Sequence, residues 1–410
     1  MGRSLAAPAA ISIARNTGDC LVTVSKEGSH AQMVSVSQNV TDPSTGASPR
    51  HRPDRMNAVL PGNGAAVKVL TLILALAVGT PLIAGDYSWT PVGLPGRLNG
   101  FAVDPLDSSV LFVTTGFGFD GAPARALWRS TDRGSTWSSV ALPDAGFLPG
   151  TIAIAPRNPS RMIMLDVGAA RLLRSADFGA TWTAVELTKP LFFPYGVAIS
   201  GDGGVIYLSG GPFCFLGCTK GGVLRSTNGG RTWRSAGLDD KNVDQIAVDA
   251  TDSDIAYAIA WNASGPVTGF LMKTLDGGGR WQTIAPAPNS VTLDPNVPSR
   301  IYAATYGKVP MVSQDGGTTW NAMSAAITSA SAVVVDSRDS SVLYASLSSG
   351  VVRSVDHGLT WSPVGGVIGQ GFVIPDGSGS RLYLAVHDPA RITPSLWELT
   401  FVRARRRAAR

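Results

Sequence analysis

The sequence predicts an all-β chain, and three observations carry that expectation. Apolar residues come in short runs broken by many of the 47 glycines and 27 prolines, with no long 3.6-residue periodicity in the body of the chain. An octet, SxDxGxTW, recurs along the chain. The tryptophans that close it are spaced at a near-constant interval.

The octet reads "STDRGSTW" from Ser130, "SADFGATW" from Ser175, "STNGGRTW" from Ser226, "TLDGGGRW" from Thr274, "SQDGGTTW" from Ser313 and "SVDHGLTW" from Ser354. A seventh tryptophan, Trp89 in "SWTPVGL", has no octet before it. From Trp89 through Trp137, Trp182, Trp233, Trp281, Trp320 and Trp361 the intervals are 48, 45, 51, 48, 39 and 41 residues. A period near 45 is that of one four-stranded propeller blade. First strands read "GFAVDP", "TIAIAP", "GVAISG", "QIAVDA", "SVTLDP", "AVVVDS" and "GFVIPD"; their small residues suit a crowded axis. Second strands run from "VLFVTT" to "RLYLAV", third strands from "ALWRST" to "SLWELT", and fourth strands begin at the tryptophans. After "SLWELT" the chain offers only a basic tail, so "SWTPVGL" is expected to complete the seventh blade and close the ring without a long free edge. The prediction is a seven-bladed β-propeller over residues 86–402, closed by the N-terminal strand in the C-terminal blade.

Each octet is expected to be a turn device. Asp132, Asp177, Asn228, Asp276, Asp315 and Asp356 are placed to accept from backbone amides two residues on, and the following glycine to take a positive φ. Six copies spread around a ring cannot share one catalytic pocket. A cation precedes five of them, Arg129, Arg174, Arg225, Lys273 and Arg353; a position repeated in this way is expected to serve the repeat by pairing with carboxylates on adjacent blades, a positive ring for an acidic partner being the alternative.

Charge is divided unevenly. Of the net +5, residues 1–66 hold +2, Lys68 +1 and the tail "RARRRAAR" +5, which leaves −3 for the body. An acidic body argues against nucleic acid as a partner. Residues 403–410 are expected to be a solvated basic tail. Upstream, Lys68 precedes the apolar run "VLTLILALAV" and then small residues at Ala84 and Gly85, the order of a secretory signal over residues 67–85 and too short to span a bilayer. The expected location is secreted or periplasmic, with the membrane met only in transit. Residues 1–66 are polar and unpatterned and are expected to be disordered or an upstream mis-start. Cys214 and Cys218 in "GGPFCFLGCTKGG" are expected to bridge, since a second pair of zinc ligands is absent nearby; two free thiols are the alternative, distinguished by mass on reduction. No metal or cofactor is expected, and the chain is expected to be a monomer.

Strand order gathers the variable loops on the side opposite the octets. There lie Phe117, Phe119, Phe147, Phe192, Phe193, Phe213 and Phe215, joined by Tyr195, Trp261 and Tyr306. Converging aromatic loops would form a platform for a peptide or a sugar chain; loops packed on one another would bury the same rings. Glycoside cleavage needs two carboxylates about 5 to 9.5 Å apart. Asp120 and Asp388 are the weak candidates, with Asp166 a third acid at a strand end and His387 beside Asp388; a surface turn is the plainer role for each. The primary reading is an exported, non-catalytic binding or scaffold propeller. Its alternative is a glycoside hydrolase acting on extracellular polysaccharide.

The octets "STDRGSTW", "SADFGATW", "SQDGGTTW" and "SVDHGLTW" resemble the Asp-box, or bacterial neuraminidase repeat, of sialidases, sortilin-type receptors, xyloglucanase-type hydrolases and photosystem II assembly factors. The resemblance implies the propeller fold over residues 86–402 and, for the alternative reading, a hydrolase that is sialidase-like or xyloglucanase-like. The early Phe/Tyr-Arg-Ile/Leu-Pro motif of sialidases does not occur, and a xyloglucanase of this type uses two propellers in tandem.

The signal reading makes a direct prediction. N-terminal sequencing of exported protein should find a mature chain starting near Gly85 or Asp86; a mature chain retaining residues 1–60 would contradict it.

Overall fold

The computed structural model describes residues 10–16, 19–25, 32–37, 89–116, 125–143, 146–166, 169–187, 192–212, 221–262, 268–365, 371–386 and 395–401. The chain divides into two compact units, residues 1–69 and 70–410. In the first, Ala10–Asn16, Asp19–Ser25 and Gln32–Ser37 form a three-stranded antiparallel sheet. The second is a seven-bladed propeller of four-stranded antiparallel sheets.

Blades one to six follow the chain. They begin at Leu98, Pro149, Phe192, Lys241, Ser290 and Ala332 and end at Val140, Glu186, Ser235, Pro286, Ala322 and Val364. Blade seven takes three strands from the end of the described chain, Gly371–Pro375, Arg381–Val386 and Ser395–Thr400, and its outer strand, Trp89–Val92, from the beginning. The closing register pairs Leu396 with Val92, Trp397 with Pro91, Glu398 with Thr90 and Leu399 with Trp89. Pro91 lacks a donor and is tolerated because this strand is an edge.

Second strands are buried along nearly their whole length, as in Leu111–Thr115, Met162–Asp166 and Ile301–Ala304. A neighbouring sheet covers each face, so these strands read as continuous apolar runs rather than as alternation. Outer strands such as Ser138–Val140 and Thr183–Glu186 are largely exposed. Seven apolar clusters fill the seven inter-blade spaces. The cluster between blades one and two holds Phe112, Phe147, Met162 and Leu173; the closing cluster between blades seven and one holds Leu111, Tyr383 and Leu396 with Val92, Phe101 and Trp137 packed on it. Near the axis a side chain at Gly100 would meet the Gly150 carbonyl at 2.5 Å, so crowding enforces glycine there.

The octets are turns between third and fourth strands, with a longer reach than expected. Asp132 accepts from the amide of Thr136, four residues on, at 2.8 Å, and from the Thr136 hydroxyl at 2.6 Å. The same amide bond recurs at 2.8–3.0 Å in the other five copies, whereas the expected two-residue reach does not. Ser130 closes the other half: its Oγ accepts from Gly134 N at 2.8 Å and donates to Asp132 at 2.7 Å. The octet glycines have φ between 75° and 93°, a region that favours glycine. Arg280, in place of threonine, leaves Asp276 with the amide bond at 2.9 Å. Four indoles, of Trp182, Trp233, Trp320 and Trp361, donate to their own turn's glycine carbonyl. Trp89, Trp137 and Trp281 instead donate to the preceding blade, at Val364, Gly93 and Ala236.

The cations before the octets lie mainly over rings rather than against carboxylates. Arg129 stands over Phe112 at 5.8 Å, Arg225 over Tyr207 at 5.4 Å, Lys273 over Tyr257 at 5.3 Å and Arg353 over Tyr344 at 5.9 Å. Each is the direct cross-strand partner of its ring, the geometry of a cation–π pair. Arg225 also reaches Asp254 of the next blade, as expected of it, and Lys273 donates to the Gly316 carbonyl of the next octet at 2.8 Å.

Hydrogen bonds from Thr136, Thr319 and Thr360 and from the octet serines hold Asp132, Asp315 and Asp356 down to about 2, in Asp356 against the opposing effect of burial. A carboxyl depressed from its ordinary value of 3.8 in the folded state stabilises fully above that value, and its contribution is lost as pH falls toward 2. Asn228 keeps the turn without a charge, accepting from Thr232 N at 3.0 Å. The triple variant Asp132→Asn, Asp315→Asn, Asp356→Asn should therefore fold, and urea midpoints between pH 4 and 2 should fall less steeply than in the parent; equal slopes would contradict the assignment. For closure, Trp89→Ala should cost about 3–5 kcal/mol in the same denaturation assay, by loss of a buried indole.

Candidate functional site

The face opposite the octets carries a structural irregularity confined to part of the ring. Inner strands enter the blades from this side, and in blades one to four each shifts register at the same level. The shift falls between Leu98 and Gly100 in blade one, opposite Met164 to Asp166 in blade two, between Pro194 and Gly196 in blade three, and between Val243 and Gln245 in blade four. The extra residues are Asn99, Thr151 in blade two's Gly150–Thr151 step, Tyr195 and Asp244. Bulges re-aim side chains and are frequent next to binding sites. The inner strands of blades five and seven pair without a shift, and that of blade six shifts only at its far end.

These four residues differ in chemistry. Asn99 donates to the Pro149 carbonyl of the next blade at 3.2 Å. Thr151 and Asp244 are exposed, and Tyr195 is 48% exposed. Surrounding protein raises the Asp244 carboxyl above its ordinary value, offset in part by the indole N–H of Trp261.

Behind Tyr195 and Asp244 two polar atoms, Ser209 Oγ and Asn242 Oδ1, are buried without a hydrogen-bond partner among the described residues. The buried Trp261 indole N–H is directed to the Asp244 carboxylate. The group is contiguous. Asn242 and Trp261 are direct cross-strand partners; a side chain at Gly211 would touch both Asn242 Oδ1 and the Tyr195 ring, and one at Gly196 would touch Ser209 Oγ. Leaving such atoms unpaired costs about 1–3 kcal/mol each, a cost that a bound polar group would relieve. The result is a polar cluster at this mouth of blades three and four, with the half-exposed Tyr195 ring beside it and the Trp261 ring packed on the core between blades four and five.

Of the aromatic residues expected on this face, Tyr195 and Trp261 therefore stand together. Phe147 does not join them: it is 1% exposed, packs between blades one and two and lies under the Arg171 guanidinium at 5.5 Å. Tyr306 is 65% exposed on blade five, whose inner strand has no bulge. Phe192 and Phe193 lie in the inner strand of blade three, paired with Pro212 and Gly211. Phe117, Phe119, Phe213, Phe215, Cys214, Cys218, Asp120, His387 and Asp388 lie outside the described residues. Asp166 is buried against Arg171 Nε at 2.5 Å. Among the described residues no group of three or more His, Cys, Asp and Glu side chains could hold a metal ion, and no helix is long and apolar enough to cross a membrane.

Sequence reasoning passed over Asn99, Thr151, Ser209, Asn242 and Asp244. A signal was present in "RLNGFAV", "LPGTIAI", "FPYGVAI" and "KNVDQIAV". In the first three of these a glycine stands beside a polar or bulky residue inside an inner strand, which marks a bulge.

The propeller is similar to several known proteins. No family model matches the chain. Over 249 residues the chain is 26% identical to a xyloglucanase from Paenibacillus sp, a match that takes in 55% of this chain and 21% of that protein. The chain thus spans about a fifth of the length of this curated relative. Among solved structures, the GH74 xyloglucanase from Xanthomonas campestris superposes with a TM-score of 0.51 at 17% identity, covering 75% of this chain and 60% of that one. YCF48 from Cyanidioschyzon merolae gives 0.56 at 15% identity, covering 77% and 99%, and YCF48 bound to D1 peptide gives 0.54 at 12%, covering 78% and 97%. At these identities the likeness is one of fold.

Proposed function

We propose that this chain is an exported binding propeller that takes a partner polypeptide or a sugar chain at the bulged mouth of blades three and four. The observation that carries the reading is the pair of buried, unpartnered polar atoms, Ser209 Oγ and Asn242 Oδ1, beside the exposed Tyr195 ring and the Asp244 carboxylate. A site built to bind leaves polar groups for its ligand to satisfy and offers an aromatic face for contact. The kinship with a YCF48 that has been solved with a peptide supports a polypeptide ligand; that with xyloglucanases supports a glycan. Among the described residues, only Asp244 of the bulge positions carries a carboxylate, where glycoside cleavage requires two flanking one bond. The order of features between Lys68 and Gly85 supports export.

Peptide and glycan arrays identify the ligand class. Tyr195→Ala and Trp261→Ala should each weaken capture about tenfold or more, the loss typical of an aromatic anchor, while the melting temperature of Tyr195→Ala stays near the parent's. Turnover of a xyloglucan or other β-glucan that is lost in Asp244→Asn would replace binding by hydrolysis, and unchanged capture in both aromatic variants would place the site elsewhere.

A further inference from the structure

The cation–ring pairs of blades one, three, four and six have a gap in the series. In blade five the ring is Tyr302, and the residue directly across from it is Val312. A valine cannot extend over the ring as Arg225 or Lys273 does. A cavity of about 470 Å³ opens at this place between blades five and six, with Tyr302, Val312, Arg300, Met323, Asp356 and His357 in its wall.

The Tyr302 hydroxyl shows the same vacancy. Tyr302 is 1% exposed and among the described residues its hydroxyl donates to no acceptor, while the Arg300 guanidinium approaches it. In blade three the equivalent Tyr207 hydroxyl donates to the Ser253 carbonyl of the next blade at 2.7 Å. The matching carbonyl beside Tyr302 is that of Ser340, and His357 holds it, with Nδ1 at 3.0 Å. His357 is placed to do so by its φ of 60° in the blade-six octet. Arg300 pairs with Asp294 at 3.3 Å and also approaches the phenol oxygen; His357 Nδ1, which donates to Ser340, cannot accept from it as well.

We propose that this cavity is a binding site for a lysine or arginine side chain of a partner polypeptide, whose cationic head lies over the Tyr302 ring where four other blades place a cation of their own. Charge selects the sign. Arg300 is already matched by Asp294, which leaves the Asp356 carboxylate as the unbalanced charge in the wall. Tyr302 Oη can accept from the guest's N–H, as can the backbone carbonyl of His357, which occupies the octet position from which Gly316 accepts the Lys273 ammonium. The apolar wall of Val312 and Met323 suits the methylene stem of such a side chain. Leu359, 77% exposed beside the opening, gives the partner an apolar contact next to the cationic one. The octet face carries this site, so it is separate from the bulged mouth on the opposite side.

The test uses the full chain and two neutral-ended probes, N-acetyl-arginine amide and its uncharged isostere N-acetyl-citrulline amide, titrated by NMR. The arginine compound should bind about tenfold more tightly than the citrulline compound, the magnitude of a partly desolvated cation–π contact. Val312→Lys, which rebuilds the native Lys273–Tyr257 pairing, should abolish the arginine-specific response while circular dichroism stays unchanged; Val312→Arg is a second variant with the same expectation. Tyr302→Phe keeps the ring and should lose only part of the affinity. Equal binding of the two probes, preference for N-acetyl-glutamate amide, no saturable response to the arginine compound, or full binding in folded Val312→Lys would each overturn the proposal.

Discussion

Every blade of this propeller must have both of its faces covered by other blades, and that requirement governs the rest of the structure. It explains why second strands such as Leu111–Thr115 are buried end to end, since a sheet with one wet face would alternate. It explains why seven separate clusters, rather than one central core, hold the domain. It also sets the composition of the axis, where inner strands approach closely enough that Gly100 has no room for a side chain. A ring closed in this way turns one edge of each blade to the axis and the other to the perimeter, where short outer strands present little unpaired backbone.

Within that frame the octets and the cations do complementary work. Serine and aspartate satisfy the amides of a tight turn, and the indole carries the turn's apolar surface onto its own blade or the preceding one. The cation on the adjoining strand covers the ring across from it and, in blades three and four, ties it to the next blade. Buried guanidinium Nε atoms of Arg129, Arg225 and Arg353 lack hydrogen-bond partners, consistent with guanidinium planes that meet rings rather than acceptors. Blade two has Ile163 across from Arg174 and blade seven has Glu398 across from Tyr383, so the pairing is a strong tendency of the repeat rather than a rule of closure.

The fold was legible because repetition multiplies a weak signal. One SxDxGxTW octet is only a turn, whereas six of them with a seventh tryptophan give blade number and closure, including the pairing of Trp89 with Leu399. The reach of each aspartate was less legible: a carboxylate can serve an amide two residues on or four residues on, and backbone conformation decides. The site was legible only in outline. Tyr195 and Trp261 stand out as aromatic residues, but a bulge leaves little trace in composition, so Asp244 and Asn242 read as ordinary polar residues of a strand. Phe147 shows the converse limit, for a phenylalanine in a variable loop and one in an inter-blade core look alike until the neighbouring sheet is placed.

The closing sheet has a consequence for how the molecule comes into being. Trp89–Val92 is synthesised before the six consecutive blades, and its hydrogen-bonding mate, Ser395–Thr400, after them. A chain emerging from a ribosome or a secretion channel can stack blades in sequence as an open arc, each new sheet settling on the last. Its leading strand meanwhile has nothing to pair with. Sealing is then one late event between segments roughly three hundred residues apart, a long loop whose entropic penalty grows only logarithmically with length. Until it happens, the first and last blades each leave an apolar side open to solvent and to other unfinished chains.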